Sequence, residues 1–202
     1  MARRLRRDYG VFGAAADRSR ECRDSLAALV PDGGELWIVD AEAYPVPLGT
    51  RLLAPPEPVV QMVCEALVVD TLPQLEMLDL TEADAPSMFE LATLTKPGPY
   101  LARTNQLGEF VGVKRGGRLV AMTGERMRLP GFAEVSGVCT HPDYRGQGFA
   151  GALVRSVAKR MIAKGETPFL HVHAENFHAL ALYESVGFCY RSTLIVSVLV
   201  RD

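Results

Sequence analysis

The sequence has little of what would mark a secreted scaffold, a membrane protein or a nucleic-acid binder. Its four cysteines, Cys22, Cys64, Cys139 and Cys189, are widely scattered and form no close pair. They read as reduced thiols rather than as a disulfide framework. No run approaches the roughly 18 uncharged apolar residues that a membrane span needs. The basic start (Arg3, Arg4, Arg6, Arg7) lacks a following apolar run, because Asp8, Asp17, Arg18, Arg20, Glu21 and Arg23 interrupt it. It therefore does not read as a signal peptide, and the expected location is the cytoplasm. Nor is there an excess of one charge. Lys and Arg total 22, Asp and Glu total 24, and the net charge is −2. That balance gives no bulk electrostatic case for nucleic acid or a membrane surface. Internal repeats and low-complexity runs are also missing.

What is present is ordinary globular material. Of 202 residues, 48% are apolar and 23% charged, enough for a full core without disulfides or metals. The composition shifts around residues 68–81, which divides the chain into residues 1–72 and 73–202. The first part reads as a small extension packed on the second. In it, Leu5 to Leu29 has helical character, Leu36 to Asp40 and Arg51 to Ala54 read as two strands that pair, and Val59 to Leu67 reads as a helix. In the second part, Leu75 to Leu80 alternates like a strand, and Thr81 with Asp84 forms a capping-box variant before a helix carrying Met88, Leu91, Ala92 and Leu94. Glu109–Lys114 and Arg118–Met127 flank Gly116-Gly117 as a hairpin. Ala133–Thr140 is a strand, Gly148–Lys164 a helix with Gly165 just past its end, and Pro168–Val172 a strand. Asn176–Val186 is a helix ended by Gly187, and Phe188–Val200 is β-rich, as one long strand or two short ones.

The informative stretch is Arg145-Gly146-Gln147-Gly148-Phe149-Ala150-Gly151, between a strand and a helix. Gly146 and Gly148 permit backbone angles that other residues avoid. The first amides of the following helix lack intrahelical partners, and the helix dipole adds positive potential there. Such a loop is a ready site for an anion such as a pyrophosphate, with Arg145 as a cation at its edge. Its wording matches a dinucleotide G-x-G-x-x-G, but four residues from Pro142 to Arg145 separate strand from glycine, and a hairpin rather than a βαβ unit precedes it. A Walker loop needs a terminal G-K-[S/T], which is absent. A glycine-rich turn without a ligand is the remaining alternative.

Arg145-x-x-Gly148-x-Ala150 resembles the [Q/R]-x-x-G-x-[G/A] motif of the GNAT superfamily of acyl-CoA-dependent N-acetyltransferases. The approach Val138-Cys139-Thr140-His141-Pro142-Asp143-Tyr144 is similar to the family's preceding strand and loop. Asn176-x-x-Ala179-x-x-Leu182-Tyr183-Glu184-x-x-Gly187-Phe188 is similar to its closing helix and strand, and the resemblance spans about residues 73–195. Its wording is nearest to the glycine N-acyltransferase-like branch. The implied fold is mixed α/β (α+β), a largely antiparallel central sheet flanked by helices. The implied activity is transfer of acetyl from acetyl-CoA, a co-substrate, to a primary amine by direct attack in a ternary complex. A non-catalytic acyl-CoA-binding module and a protein N-acetyltransferase are the alternatives.

The resemblance implies roles residue by residue. The amides of Gly146, Gln147, Gly148, Phe149 and Ala150 would hold the CoA pyrophosphate. Val138, Cys139 and Thr140 would pair with the pantetheine like an added strand, and the Val138 amide would polarise the thioester oxygen. Asn176 would hydrogen-bond the pantetheine. Tyr183 would protonate the leaving thiolate, and Glu134 would serve as general base. A core tyrosine and a solvated strand glutamate would look the same in sequence. Cys139 reads as a small apolar strand residue rather than a nucleophile. His171 and His173 alternate on one strand with His178 close by, but no cysteine or carboxylate spacing supports a metal, and none is expected. The expected partner is a small-molecule amine, with no nucleic acid and no membrane. A homodimer is left open.

Overall fold

The computed structural model describes residues 1–68 and 75–202. In chain order its strands are β1 (Ala2–Arg4), β2 (Gly13–Ala15), β3 (Leu36–Asp40), β4 (Thr50–Leu52), β5 (Glu57–Val63), β6 (Leu78–Leu80), β7 (Phe110–Arg115), β8 (Arg118–Leu129), β9 (Phe132–Thr140), β10 (Thr167–His173) and β11 (Cys189–Arg201). The α-helices are α1 (Arg20–Ala27), α2 (Ala85–Thr95), α3 (Phe149–Ala163) and α4 (Phe177–Val186). Among the described residues, nine strands form one sheet in the order β3-β11-β5-β10-β9-β8-β7-β6, with β4 also paired to β11. The β9–β10 pair is parallel and the other pairs are antiparallel. β1 and β2 make a separate two-stranded ribbon. This is the expected mixed, largely antiparallel sheet flanked by helices.

Local signals shape the C-terminal elements. The Thr81 amide donates to Asp84 Oδ2 at 2.9 Å, closing the capping box that leads into α2. Alternation along β7 and β8 then sends side chains to two layers. Val111, Val113 and Ala121 pack with Leu153, Val154 and Val157 of α3, while Phe110 and Met122 pack with Met88 and Leu91 of α2. Two helical layers thus bury both faces of the sheet, the arrangement that removes most apolar surface from water.

Residues before 69 depart from the sequence reading. Glu57–Val63 is a strand, not the expected helix, and it lies inside the sheet between β11 and β10. The run Pro58-Val59-Val60-Gln61-Met62-Val63 is rich in β-branched residues, and two flanking strands satisfy its backbone groups on both edges. β3 and β4 each pair with β11 rather than with each other. Helix within Leu5–Leu29 is confined to α1, capped where Ser19 accepts from the Cys22 amide. Residues 36–63 therefore supply strands to the shared sheet instead of packing outside it. The boundary between residues 72 and 73 lies outside the described residues. The β-rich tail is one long strand, β11, with a register shift between Tyr190 and Ser192.

Candidate functional site

Among the described residues, the parallel strand pair of the large sheet is short. β9 and β10 pair only at Phe132–Thr167, Ala133–Pro168 and Glu134–Phe169. Beyond these positions β9 stays with β8 and β10 with β5, so the two strands diverge. A cleft of about 1660 Å³ runs through the gap. A bulge marks the β9 lip: Met122 faces Cys139 while Gly124 faces Ser136, which leaves one extra residue on β9. Gly137 occupies that bulge at φ +63°, and a Cβ there would approach the Phe110 ring to 3.0 Å. Bulges of this kind bend a strand and interrupt its ladder.

The loop from Arg145 to Gly148 lies exposed at one end of the cleft. Gly146 and Gly148 have φ of +76° and +77°, the left-handed region that favours glycine, and Gly148 is the N-cap of α3. Among the described residues, no protein acceptor takes a backbone amide of residues 146–151. The turn is thus a set of donors aimed at solvent from a helix N-terminus, with Phe149 buried beneath it as an anchor. Arg145 stays exposed beside it, its Nε 3.4 Å from the Thr140 carbonyl. Thr140 lines the cleft, and its Oγ1 is buried without a hydrogen-bond partner. Asn176 caps α4 by accepting from the Ala179 amide at 3.1 Å through Oδ1, which leaves its amide NH₂ for a ligand. Val138, Cys139, Gln147, Ala150, Tyr183 and Glu134 line the same cleft. An orphaned hydroxyl, unclaimed amides and an edge cation together suit a diphosphate with a hydrogen-bonding arm.

Tyr183 is buried on α4, with its ring edge-on to Phe188 at 6.1 Å. Burial, followed by the nearby Cys139, pushes its hydroxyl up to about 12. Against an ordinary thiol near 8.5, a proton donated from that tyrosine climbs about 3.5 units, roughly 5 kcal/mol. The same desolvation acts on a thiol in this place. Cys139 is pushed up to about 11, chiefly by burial, so thiol and tyrosine draw together. That value also keeps Cys139 protonated and unsuited to nucleophilic attack.

Glu134 is placed in the cleft but is not a free base. It is fully buried, and its carboxylate takes two bonds from Arg126, Nε to Oε2 at 2.9 Å and Nη2 to Oε1 at 2.6 Å. Its Oε1 also meets His171 Nδ1 at 2.8 Å. Burial alone would raise this carboxyl. The guanidinium and the imidazole outweigh it and hold the group down to about 2. A carboxylate so acidic is a poor proton acceptor at neutral pH.

The sequence alone gives no role to Arg126 or Gln61, raises His171 only for a metal site that no spacing supports, and leaves the walls of the cleft unplaced. The far wall is N-terminal: Phe12 lies under the Arg126 guanidinium at 4.4 Å and edge-on to Trp37 at 6.1 Å. Trp37 Nε1 is buried without a partner beside this wall. No local signal marks the burial of Glu134: alternation puts this residue on the face of β9 opposite Ala133 and Val135, and only the covering of both faces buries it.

Comparison with known proteins gives a consistent set of likenesses. Residues 110–196 match the family described as FR47-like protein. The N-alpha-acetyltransferase RimI of Mycobacterium tuberculosis is 37% identical over 120 residues, covering 54% of this chain and 75% of that protein. A solved Novosphingobium aromaticivorans chain, assigned to the GNAT family of acetyltransferases, is 42% identical and superposes with a TM-score of 0.91 over 100% of this chain and 88% of its own. The Escherichia coli ribosomal-protein-S18-alanine N-acetyltransferase shares the fold, with a TM-score of 0.51 and 22% identity over 61% of this chain and 91% of that one.

Proposed function

The chain belongs to the GNAT family of N-acetyltransferases, and from that premise we propose that it moves acetyl from acetyl-CoA to a primary amine by direct attack within a ternary complex. The observation that carries this reading is the row of unclaimed amides at residues 146–151, set at the mouth of the only parallel, splayed strand pair among the described residues. In this reading the amides of Gly146 to Ala150 and the Arg145 guanidinium hold the diphosphate. Val138, Cys139 and Thr140 offer a strand edge to the pantetheine arm, and the Asn176 amide donates to it. The Val138 amide points its partial charge at the thioester oxygen, and Tyr183 returns a proton to the departing sulfur. Holding donor and acceptor in one cleft supplies much of the acceleration.

Residues 73–202 carry the acyl-CoA half in this reading, while residues 1–72 complete the acceptor half. Every residue invoked comes from one chain. The four unbonded thiols suit a reducing compartment, the cytoplasm. Two acceptor classes compete. The wording at Leu182-Tyr183-Glu184 supports a small amine, as in the glycine N-acyltransferase-like branch. The likeness to RimI, an N-alpha-acetyltransferase, supports a peptide α-amine. Titration with CoA, followed by thiol release from acetyl-CoA over a panel of small amines and peptides with free N-termini, tests the reading. Release with at least one acceptor is the expected result. CoA binding with no release from any acceptor overturns it in favour of a binding module.

A further inference from the structure

A directed chain of hydrogen bonds runs from the surface at Arg191 to the buried Glu134 in the cleft. Arg191 donates to Gln61 Oε1, so Gln61 presents its amide NH₂ to His171 Nε2 at 2.9 Å. His171 Nδ1 faces Glu134 Oε1, and a carboxylate only accepts, so Nδ1 carries the proton. Arg126 closes the chain from the other side with its two bonds to Glu134. The carboxylate on Nδ1 and the amide NH₂ on Nε2 together place the ring proton at Nδ1 and the lone pair at Nε2. Two of the members are placed by irregular backbone. Arg191 is the unpaired residue between Tyr190 and Ser192 on β11, and Arg126 lies in the register shift between Glu125 and Arg128 on β8. Bulges re-aim side chains, and here both aim a guanidinium at this chain.

Position completes the argument. His171 is two residues beyond Phe169, the last β10 residue paired with β9. It sits on the β10 lip of the splay, lines the cleft, and keeps its side chain 20% exposed. We propose that His171, not Glu134, accepts the proton of the incoming ammonium, and that Glu134 is the positioning residue that holds Nδ1–H and stabilises the charged ring. This inference rests on the acetyl-transfer reading. The ammonium displaces the Gln61 amide as the donor to Nε2 and passes one proton to it. The freed lone pair forms the N–C bond to the acetyl carbon, and the C–S bond breaks. The departing sulfur takes a proton from Tyr183, the amine's second proton passes to the Tyr183 oxygen as the amide forms, and the imidazolium discharges to solvent. The charged groups around the ring are Glu134 on β9, Arg126 on β8, Arg191 on β11, His173 with Glu57 at 3.6 Å, and, across the cleft on α4, Tyr183 and His178.

The test uses thiol-release kinetics on full-length protein with an acceptor that the wild type turns over. His171→Gln keeps a donor toward Glu134 but offers no comparable base. It is expected to lower kcat/KM by about 10²–10³ for an alkylamine, and by less than about tenfold for an acceptor whose amine is already largely free at the assay pH. Gln61→Ala is expected to act in the opposite direction. Freeing Nε2 should lower the acceptor KM while kcat holds, which a merely structural glutamine would not do. Equal losses for both acceptor types in folded His171→Gln, or a Gln61→Ala variant that loses kcat, overturns the proposal. Release by the wild type with no acceptor at all is a failure of the acetyl-transfer reading, not of His171.

Discussion

The loop at residues 145–151 and the polar centre around Glu134 face one cleft but are built in opposite ways. The loop is main chain with its donors unspent. The centre is side chains with its donors and acceptors matched, from Arg126 through Glu134 and His171 to Gln61. A site that waits for a charged ligand leaves its hydrogen bonds open, whereas a site that must hold a proton acceptor in one orientation keeps it bonded on both sides. Tyr183 stands between the two and should show the largest effect. Tyr183→Phe is expected to lower turnover by about 10²–10⁴ at saturating substrates while CoA affinity is kept. Unchanged turnover would remove the tyrosine from the chemistry and leave only the two regions to compare.

The closed region should be the more fragile in stability. Arg126→Met strands a buried carboxylate with only His171, and is expected to cost about 3–5 kcal/mol in denaturant melts. The acid dependence sharpens the point. In the wild type, Glu134 is depressed from 4.5 to about 2, so its contribution is present above pH 4.5 and fades as pH falls toward 2. That shift of about 2.5 units corresponds to roughly 3 kcal/mol, read as a falling melting temperature across this window. In Arg126→Met the direction reverses, because burial without the guanidinium raises the carboxyl and favours its neutral form in acid. A variant melting as the wild type does over this range would show that the pair does not hold the carboxylate ionised.

The open region should lose less stability than the closed one and be the more sensitive in binding. Gly148→Val replaces a residue at φ +77° and obstructs the donors. Losing one charge-assisted bond is worth about 1.5–3 kcal/mol, so CoA affinity should fall tenfold to about a hundredfold by titration calorimetry. Unaltered affinity would mean that the diphosphate lies elsewhere.

The two regions also differ in how far sequence discloses them. The loop is local: two glycines, a helix start and an arginine within seven residues specify its backbone, so Arg145 to Ala150 could be named without coordinates. So could the order of elements from β6 to β11, because periodicity and turn residues act over short distances. The centre is non-local. Arg126, Glu134, His171, Gln61 and Arg191 come from five different strands, and no spacing along the chain relates them. Gln61 was hidden further, because Val59 to Leu67 reads as a helix until β10 and β11 pair with it on both sides. Glu134 was found as a residue, but its role depends on the cation beside it, which only the fold supplies.

The central claim is that the main-chain donors of residues 146–150 grip a diphosphate and point a thioester into the gap between β9 and β10. A crystal structure with bound acetyl-CoA tests it most directly. The account predicts diphosphate oxygens within hydrogen-bond distance of the Gly146 to Ala150 amides, with the sulfur between Val138 and Tyr183. A diphosphate bound away from these amides, or a sulfur outside the strand gap, would contradict it.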